Sequence, residues 1–151
     1  MTGEIRRVDF SDALFETMLA EAKAGDGRFL ERLRQEWIEG RVRYDGPGEC
    51  LLGALFENQL IAVGGVCADP YEPVAGLGRI RHVYVLRAHR GRGLGRKIVE
   101  RLLRAATAQF DVLRLKTENP RAAALYESLG FERSEFGHET HRLELRGTPR
   151  A

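Results

Sequence analysis

The chain has 151 residues, the size of one ordinary domain with a real core, and its balance of 43% hydrophobic to 30% charged residues excludes a disordered or fibrous class. A formal net charge of +2 gives no global case for a nucleic-acid or membrane-surface protein, and two cysteines are too few for a disulfide framework or a zinc site. Nothing at the N-terminus resembles a signal peptide and no run approaches a transmembrane length, so the expected location is cytoplasmic.

Residues 5–8 read as a short strand. Across 12–24, Leu14, Phe15, Met18, Leu19 and Ala22 recur at helical spacing until Gly25 stops them. A second helical pattern puts Phe29, Leu30, Leu33 and Trp37 on one face and ends near Gly40. A loop over 41–49 leads to two strands, 51–56 and 60–67, joined by a tight turn over Glu57, Asn58 and Gln59. Cys50 and Cys67 flank this hairpin, are expected nearly opposite one another, and read as small core thiols. After a Pro- and Gly-containing loop over 69–78 comes a strand, 80–86.

Arg90-Gly91-Arg92-Gly93-Leu94-Gly95 follows that strand, and a helical stripe of Leu94, Ile98, Leu102 and Ala106 begins directly behind it. Glycines allow a sharp turn and close approach to a ligand, while the first N–H groups of a helix lack intrahelical partners and favour an anion. Counting from Gly91, the sixth position of a dinucleotide fingerprint is Arg96 rather than glycine. A Walker loop fails at the same residue, and no Ser or Thr follows Lys97. The spacing that fits is R-x-x-G-x-G at Arg90, Gly93 and Gly95. Between Arg79 and Arg104 the charge is almost wholly positive, with Glu100 alone in opposition, as a phosphate-bearing ligand would favour.

The remaining elements are a strand at 112–116, a short helix and two strands at 131–136 and 141–145. Asn119 suits the helix N-cap, Pro120 its first position and Gly130 its C-terminal cap. Asn119, Ala122, Tyr126, Gly130 and Phe131 form the pattern N-x-x-A-x-x-x-Y-x-x-x-G-F. The glycine loop and this second pattern, each on the right element, resemble motifs A and B of the GNAT superfamily of acyl-CoA-dependent N-acetyltransferases. The order β-α-α-β-β-β-α-β-α-β-β extends the resemblance over nearly the whole chain, read as a single domain over 1–151. It implies an α/β (α+β) fold with a mixed, mostly antiparallel central sheet flanked by helices.

The resemblance also implies acetyl-CoA as acyl donor and a primary amine as acceptor, joined by direct transfer in a ternary complex. No metal is implied, nor nucleic acid or membrane as partner, and the chain is expected to be a monomer or homodimer. Backbone groups of Gly91, Arg92, Gly93, Leu94, Gly95 and Arg96, with Arg90, would hold the pyrophosphate. The strand edge at Val83, Tyr84 and Val85 would pair with the pantetheine arm, and Asn119 would touch that arm besides capping its helix. Tyr126 matches the family tyrosine that protonates the departing sulfur. Relatives often carry a glutamate base on the fourth strand where this chain has Arg81 and His82. His82 has a suitable intrinsic pKa for that base, with water-mediated transfer to Glu135 or Glu144 as the alternative. Asp69, Tyr71 and Glu72 are expected near the amine. Without the acidic base, a non-catalytic acyl-CoA-binding regulatory module is the alternative function.

Overall fold

The computed structural model describes residues 3–25 and 27–145; the ends of the expected 1–151 domain lie outside these. β1 (Glu4–Arg7) is followed by α1 (Asp12–Lys23), α2 (Phe29–Ile38) and the strands β2 (Cys50–Phe56), β3 (Gln59–Ala68) and β4 (Leu77–Val85). Then come α3 (Leu94–Thr107), β5 (Val112–Leu115), α4 (Pro120–Ser128), β6 (Glu132–Arg133) and β7 (His141–Glu144), the order expected from the sequence. The strands form one sheet, β1-β2-β3-β4-β5-β7-β6. Every neighbouring pair is antiparallel except β4 and β5, which run parallel.

Local chemistry sets most boundaries. Ser11 accepts the Leu14 N–H at 3.1 Å and starts α1. Glu57 and Asn58 both take positive φ, 52° and 65°, which matches the twist of a two-residue hairpin turn. Gln59 therefore pairs with Phe56 and opens β3 instead of belonging to the turn. β4 starts at Leu77 and not at residue 80, because Gly78 finds partners on both sides, Ala68 in β3 and Leu113 in β5. The strand expected over 131–136 shortens to Glu132–Arg133, since the Ser134 N–H turns to Thr140 O at 2.8 Å and Gly137 turns the chain at φ 67°.

The core lies on both faces of the sheet. α3 covers one face so closely that a Cβ on Gly64 of β3 would stand 2.7 Å from Ile98 Cγ2. α4 lies against the first turns of α3, where Arg96 Nη2 donates to Ser128 Oγ at 2.5 Å. On the other face α1 and α2 enclose Phe15, Met18, Leu30 and Leu33 completely, each worth roughly 1.5–3 kcal/mol of burial. The cysteines do not face one another: Cys50 pairs with Val66, so Cys67 lies one residue further along, on the opposite face. Both are buried free thiols, and burial pushes Cys67 up to about 12.

Candidate active site

The site begins where β4 and β5 part. They pair through Leu77, Gly78 and Arg79 only, and the register of β4 against β3 slips between Val63 and Gly65. There two β4 residues, His82 and Val83, oppose Gly64 alone, and His82 takes φ 60°, a left-handed conformation uncommon outside glycine. The bulge brings Arg81 and His82 to the same face, where both meet Glu36 of α2. Past it, the Leu86 N–H bonds Ile61 O at 2.9 Å, so by alternation the backbone groups of Val83 and Val85 turn away from β3 into the gap. Val85 O accordingly accepts the Arg90 Nε–H at 2.8 Å.

The gap is a cleft of about 1530 Å³. One wall is β4 from Ile80 to Val85, the other the chain from Leu115 to Tyr126. The glycine loop lies at one end and Phe29, Arg32, Tyr71 and His138 at the other. Of the expected loop residues, Arg90, Gly91, Gly93, Leu94 and Gly95 line the cleft, as do Val83, Tyr84, Val85 and Asn119. Arg92 and Arg96 are exposed and not among the lining residues. Gly91 and Gly93 adopt φ 79° and 80°, and Gly93 caps α3 without any side-chain bond to the helix, leaving the first-turn N–H groups to an outside acceptor. Asn119 Oδ1 accepts the N–H groups of Arg121 and Ala122, at 2.9 and 3.3 Å, and starts α4.

α4 carries Tyr126 into the cleft wall opposite β4. Its ring meets Phe131 edge-on at 5.6 Å, and burial pushes the phenol up, so it stays protonated throughout the neutral range.

At the far end the sequence pattern is corrected in several places. Phe29, expected on the buried face of α2, is 38% exposed and lines the cleft, while Glu36 is buried in its stead. Glu36 takes both prongs of Arg81, at 2.9 and 3.1 Å. Burial pushes its carboxyl up, but His82 and Arg81 more than offset this and hold it at about 2. His82 lies enclosed under the Phe29 ring, 6.0 Å between centroids, and burial holds it at about 4. Its Nε2 is 3.8 Å from Glu36 Oε1, too far for a hydrogen bond, and neither ring nitrogen has a partner among the described residues.

Asp69 and Glu72 do not line the amine end; Tyr71 does. Asp69 is buried and accepts Arg114 Nε together with the N–H groups of Tyr71 and Glu72, at 2.8 and 3.0 Å. Glu72 pairs with Arg114 at 3.1 Å. The Asp69 carboxylate thus sets the loop that presents Tyr71. Glu135 and Glu144 are exposed and lie away from the cleft. Sequence reasoning missed Glu36 and Arg32. A carboxylate on an apolar helix stripe, Leu33-x-x-Glu36-Trp37, is the one signal that pointed to Glu36.

Among the described residues no group of three or more His, Cys, Asp or Glu is arranged to hold a metal ion, and no helix is long and apolar enough to cross a membrane. The fold that carries this cleft has counterparts among known proteins. The model of the acetyltransferase (GNAT) family matches residues 11–131, and the chain belongs to that family. A structure from Exiguobacterium sp. 255-15, described provisionally as an acetyltransferase, superposes with a TM-score of 0.83 at 31% identity, covering 95% of this chain and 94% of that one. A Salmonella typhimurium structure of the same provisional description, solved with its cofactor acetyl-CoA, shares the fold at a TM-score of 0.69 and 20% identity, covering 96% and 95%. The N-alpha-acetyltransferase RimI of Mycobacterium tuberculosis is 36% identical over 80 residues, 48% of this chain. The chain spans 51% of that relative's length and 23% of an uncharacterized Mycobacterium leprae protein's.

Proposed function

We propose that the chain is a cytoplasmic, single-domain N-acetyltransferase that moves an acetyl group from acetyl-CoA to a primary amine by direct attack in a ternary complex. The observation that carries this reading is the unpaired edge of β4 at Val83 and Val85, set between the first turn of α3 and Tyr126. Acetyl-CoA supplies the acyl group and a thiolate leaving group. Its pyrophosphate fits the α3 N-terminus, where Gly91 and Gly93 keep side chains out of the way and Arg90 adds charge. Its amide-bearing arm fits the strand edge, with Arg90 leaving Val85 O as the arm takes that acceptor.

Tyr126, held protonated by burial, donates to the sulfur as it leaves. A β4 backbone N–H facing the gap donates to the carbonyl oxygen as charge develops there. At the amine end, Arg32, Arg79 and Arg81 disfavour an ammonium and so favour entry of the free base. Once its nitrogen bonds the acyl carbon it is far more acidic than a free ammonium. A neutral imidazole such as His82 then suffices to take the proton, after Phe29 yields access to the ring. Buried free thiols at Cys50 and Cys67 fit a reducing compartment.

Thiol release from acetyl-CoA in the presence of an amine panel tests the reading. Thermal stabilisation by acetyl-CoA with no release for any amine would instead support the non-catalytic regulatory module. His82→Asn, which keeps a residue tolerant of positive φ, tests the proton route: kcat should fall and the acid limb of its pH profile should move.

A further inference from the structure

Resting on the acetyltransferase reading, we infer that the acceptor is a free apolar amino acid, an amine whose carboxylate is held by Arg32 and whose side chain packs between Phe29 and Tyr71. Among the described residues the cleft has one acidic lining residue, Glu118, next to Asn119. Its basic lining residues include Arg32, Arg79 and Arg81, all at the amine end. A cationic acceptor such as a polyamine would meet three guanidinium groups there against the single lining carboxylate of the described residues.

The three arginines are not equivalent. Arg81 is committed to Glu36 through both prongs. Arg79 is committed to Asp69 at 3.4 Å and to His138 O at 2.8 Å. Arg32 gives one N–H to the Tyr71 hydroxyl at 2.9 Å and has no acidic partner among the described residues. It is exposed on α2, at the turn after Phe29, with the rest of its fork open to a carboxylate.

The surroundings fix what else the acceptor carries. Tyr71 is held by Arg32 and by its ring contacts with Arg79, 4.7 Å away, and His138, 5.2 Å away. It is 39% exposed and Phe29 is 38% exposed, and both line the cleft. Two aromatic faces beside a guanidinium with no acidic partner among the described residues recognise an apolar side chain next to a carboxylate. The same guanidinium disfavours the ammonium form of the bound amine, so one residue would both seat the acceptor and help free its lone pair.

The test compares leucine, methionine and phenylalanine with their amides, their decarboxylated amines and spermidine, by thiol release from acetyl-CoA. Amino acids should exceed their amides by at least roughly tenfold in kcat/KM, the range of a charged hydrogen-bond pair. Arg32→Gln keeps helix propensity. It should raise KM for the amino acids roughly 10 to 100-fold and affect the amides far less, leaving KM for acetyl-CoA unchanged. With coenzyme A present, the amino acids should raise Tm of the native protein and not of Arg32→Gln. Equal use of acids, amides and amines, or of a peptide N-terminus as well as an amino acid, would overturn the inference while leaving the acetyltransferase reading standing. Absence of thiol release with every acceptor would overturn that reading and this inference with it.

Discussion

Glu36 holds the Arg81 guanidinium with both carboxylate oxygens, at 2.9 and 3.1 Å, and the same carboxylate lies 3.8 Å from Nε2 of His82. The pair ties α2 to the bulge of β4, so the helix that carries Phe29 and Arg32 is anchored to the strand where acyl transfer is proposed. Both side chains are nearly enclosed, 5% and 7% exposed. Breaking such a pair leaves one charge buried without its counterpart.

Glu36→Gln should therefore cost about 3–5 kcal/mol of stability. The double variant Glu36→Gln/Arg81→Met should recover part of that loss. Urea denaturation of the variants measures both effects. A loss below about 1 kcal/mol, the range of a surface pair, would show that the pair does not anchor α2.

His82 and Glu36 also set an acid limit. Burial holds the imidazole at about 4 against an ordinary 6.5, and the Glu36 carboxyl stands at about 2 against 4.5 because His82 and Arg81 outweigh its burial. From pH 6.5 down to 4 the unfolded chain takes up a proton at His82 that the folded chain refuses, and from 4.5 down to 2 the same holds at Glu36. Both groups make stability fall as pH falls, His82 by up to ~1.4 kcal/mol per pH unit. The stability linked to both is fully present above pH 6.5. Denaturant midpoints should decline below that pH, and His82→Asn should flatten the first part of the decline. An equally steep profile in the variant would contradict the burial of a neutral imidazole.

Tyr126→Phe removes the hydroxyl and keeps the edge contact with Phe131. Turnover should fall roughly 10 to 100-fold with little change in acetyl-CoA affinity, because a general acid acts at the sulfur only as it departs. Steady-state kinetics beside equilibrium binding separate the two effects. An unchanged kcat would remove Tyr126 from the chemistry.

What the sequence displayed was chiefly what short-range chemistry dictates. Gly91 and Gly93 were readable as turn residues that let a ligand come close, and they take positive φ; Asn119 and Pro120 were readable as a helix start. Long-range pairing was hidden. Nothing in the spacing of Arg81 and His82 announces that a bulge puts both on one face, since alternation along a regular strand would separate them. Glu36 read as a polar interruption of a helical stripe, and only the approach of α2 to β4 turns it into a buried partner for Arg81. Asp69 resembled a pocket acid because its role, fixing the Tyr71 loop through Arg114, depends on residues far apart in the chain.

Gly95 separates stability from binding. It needs no unusual φ, and a methyl there would meet Leu125 and Val85 at 3.7 Å, an ordinary contact. Gly95→Ala should leave stability equal or raise it by up to about 1 kcal/mol, through helix propensity. The methyl stands in the cleft between β4 and α4, however, so acetyl-CoA affinity should fall at least roughly tenfold, or ~1.4 kcal/mol. Calorimetric titration and thermal melts together decide it. Undiminished affinity would place the arm elsewhere than along this edge.

The central claim is acyl transfer along the open edge of β4, and acetyl-CoA consumption with a free amino acid as acceptor tests it most directly. Free thiol and N-acetylated amino acid should appear in equal amounts, from the wild-type chain and far more slowly from Tyr126→Phe. Thiol release that continues at the same rate without any amine, or no release at all from a chain that binds acetyl-CoA, would contradict it.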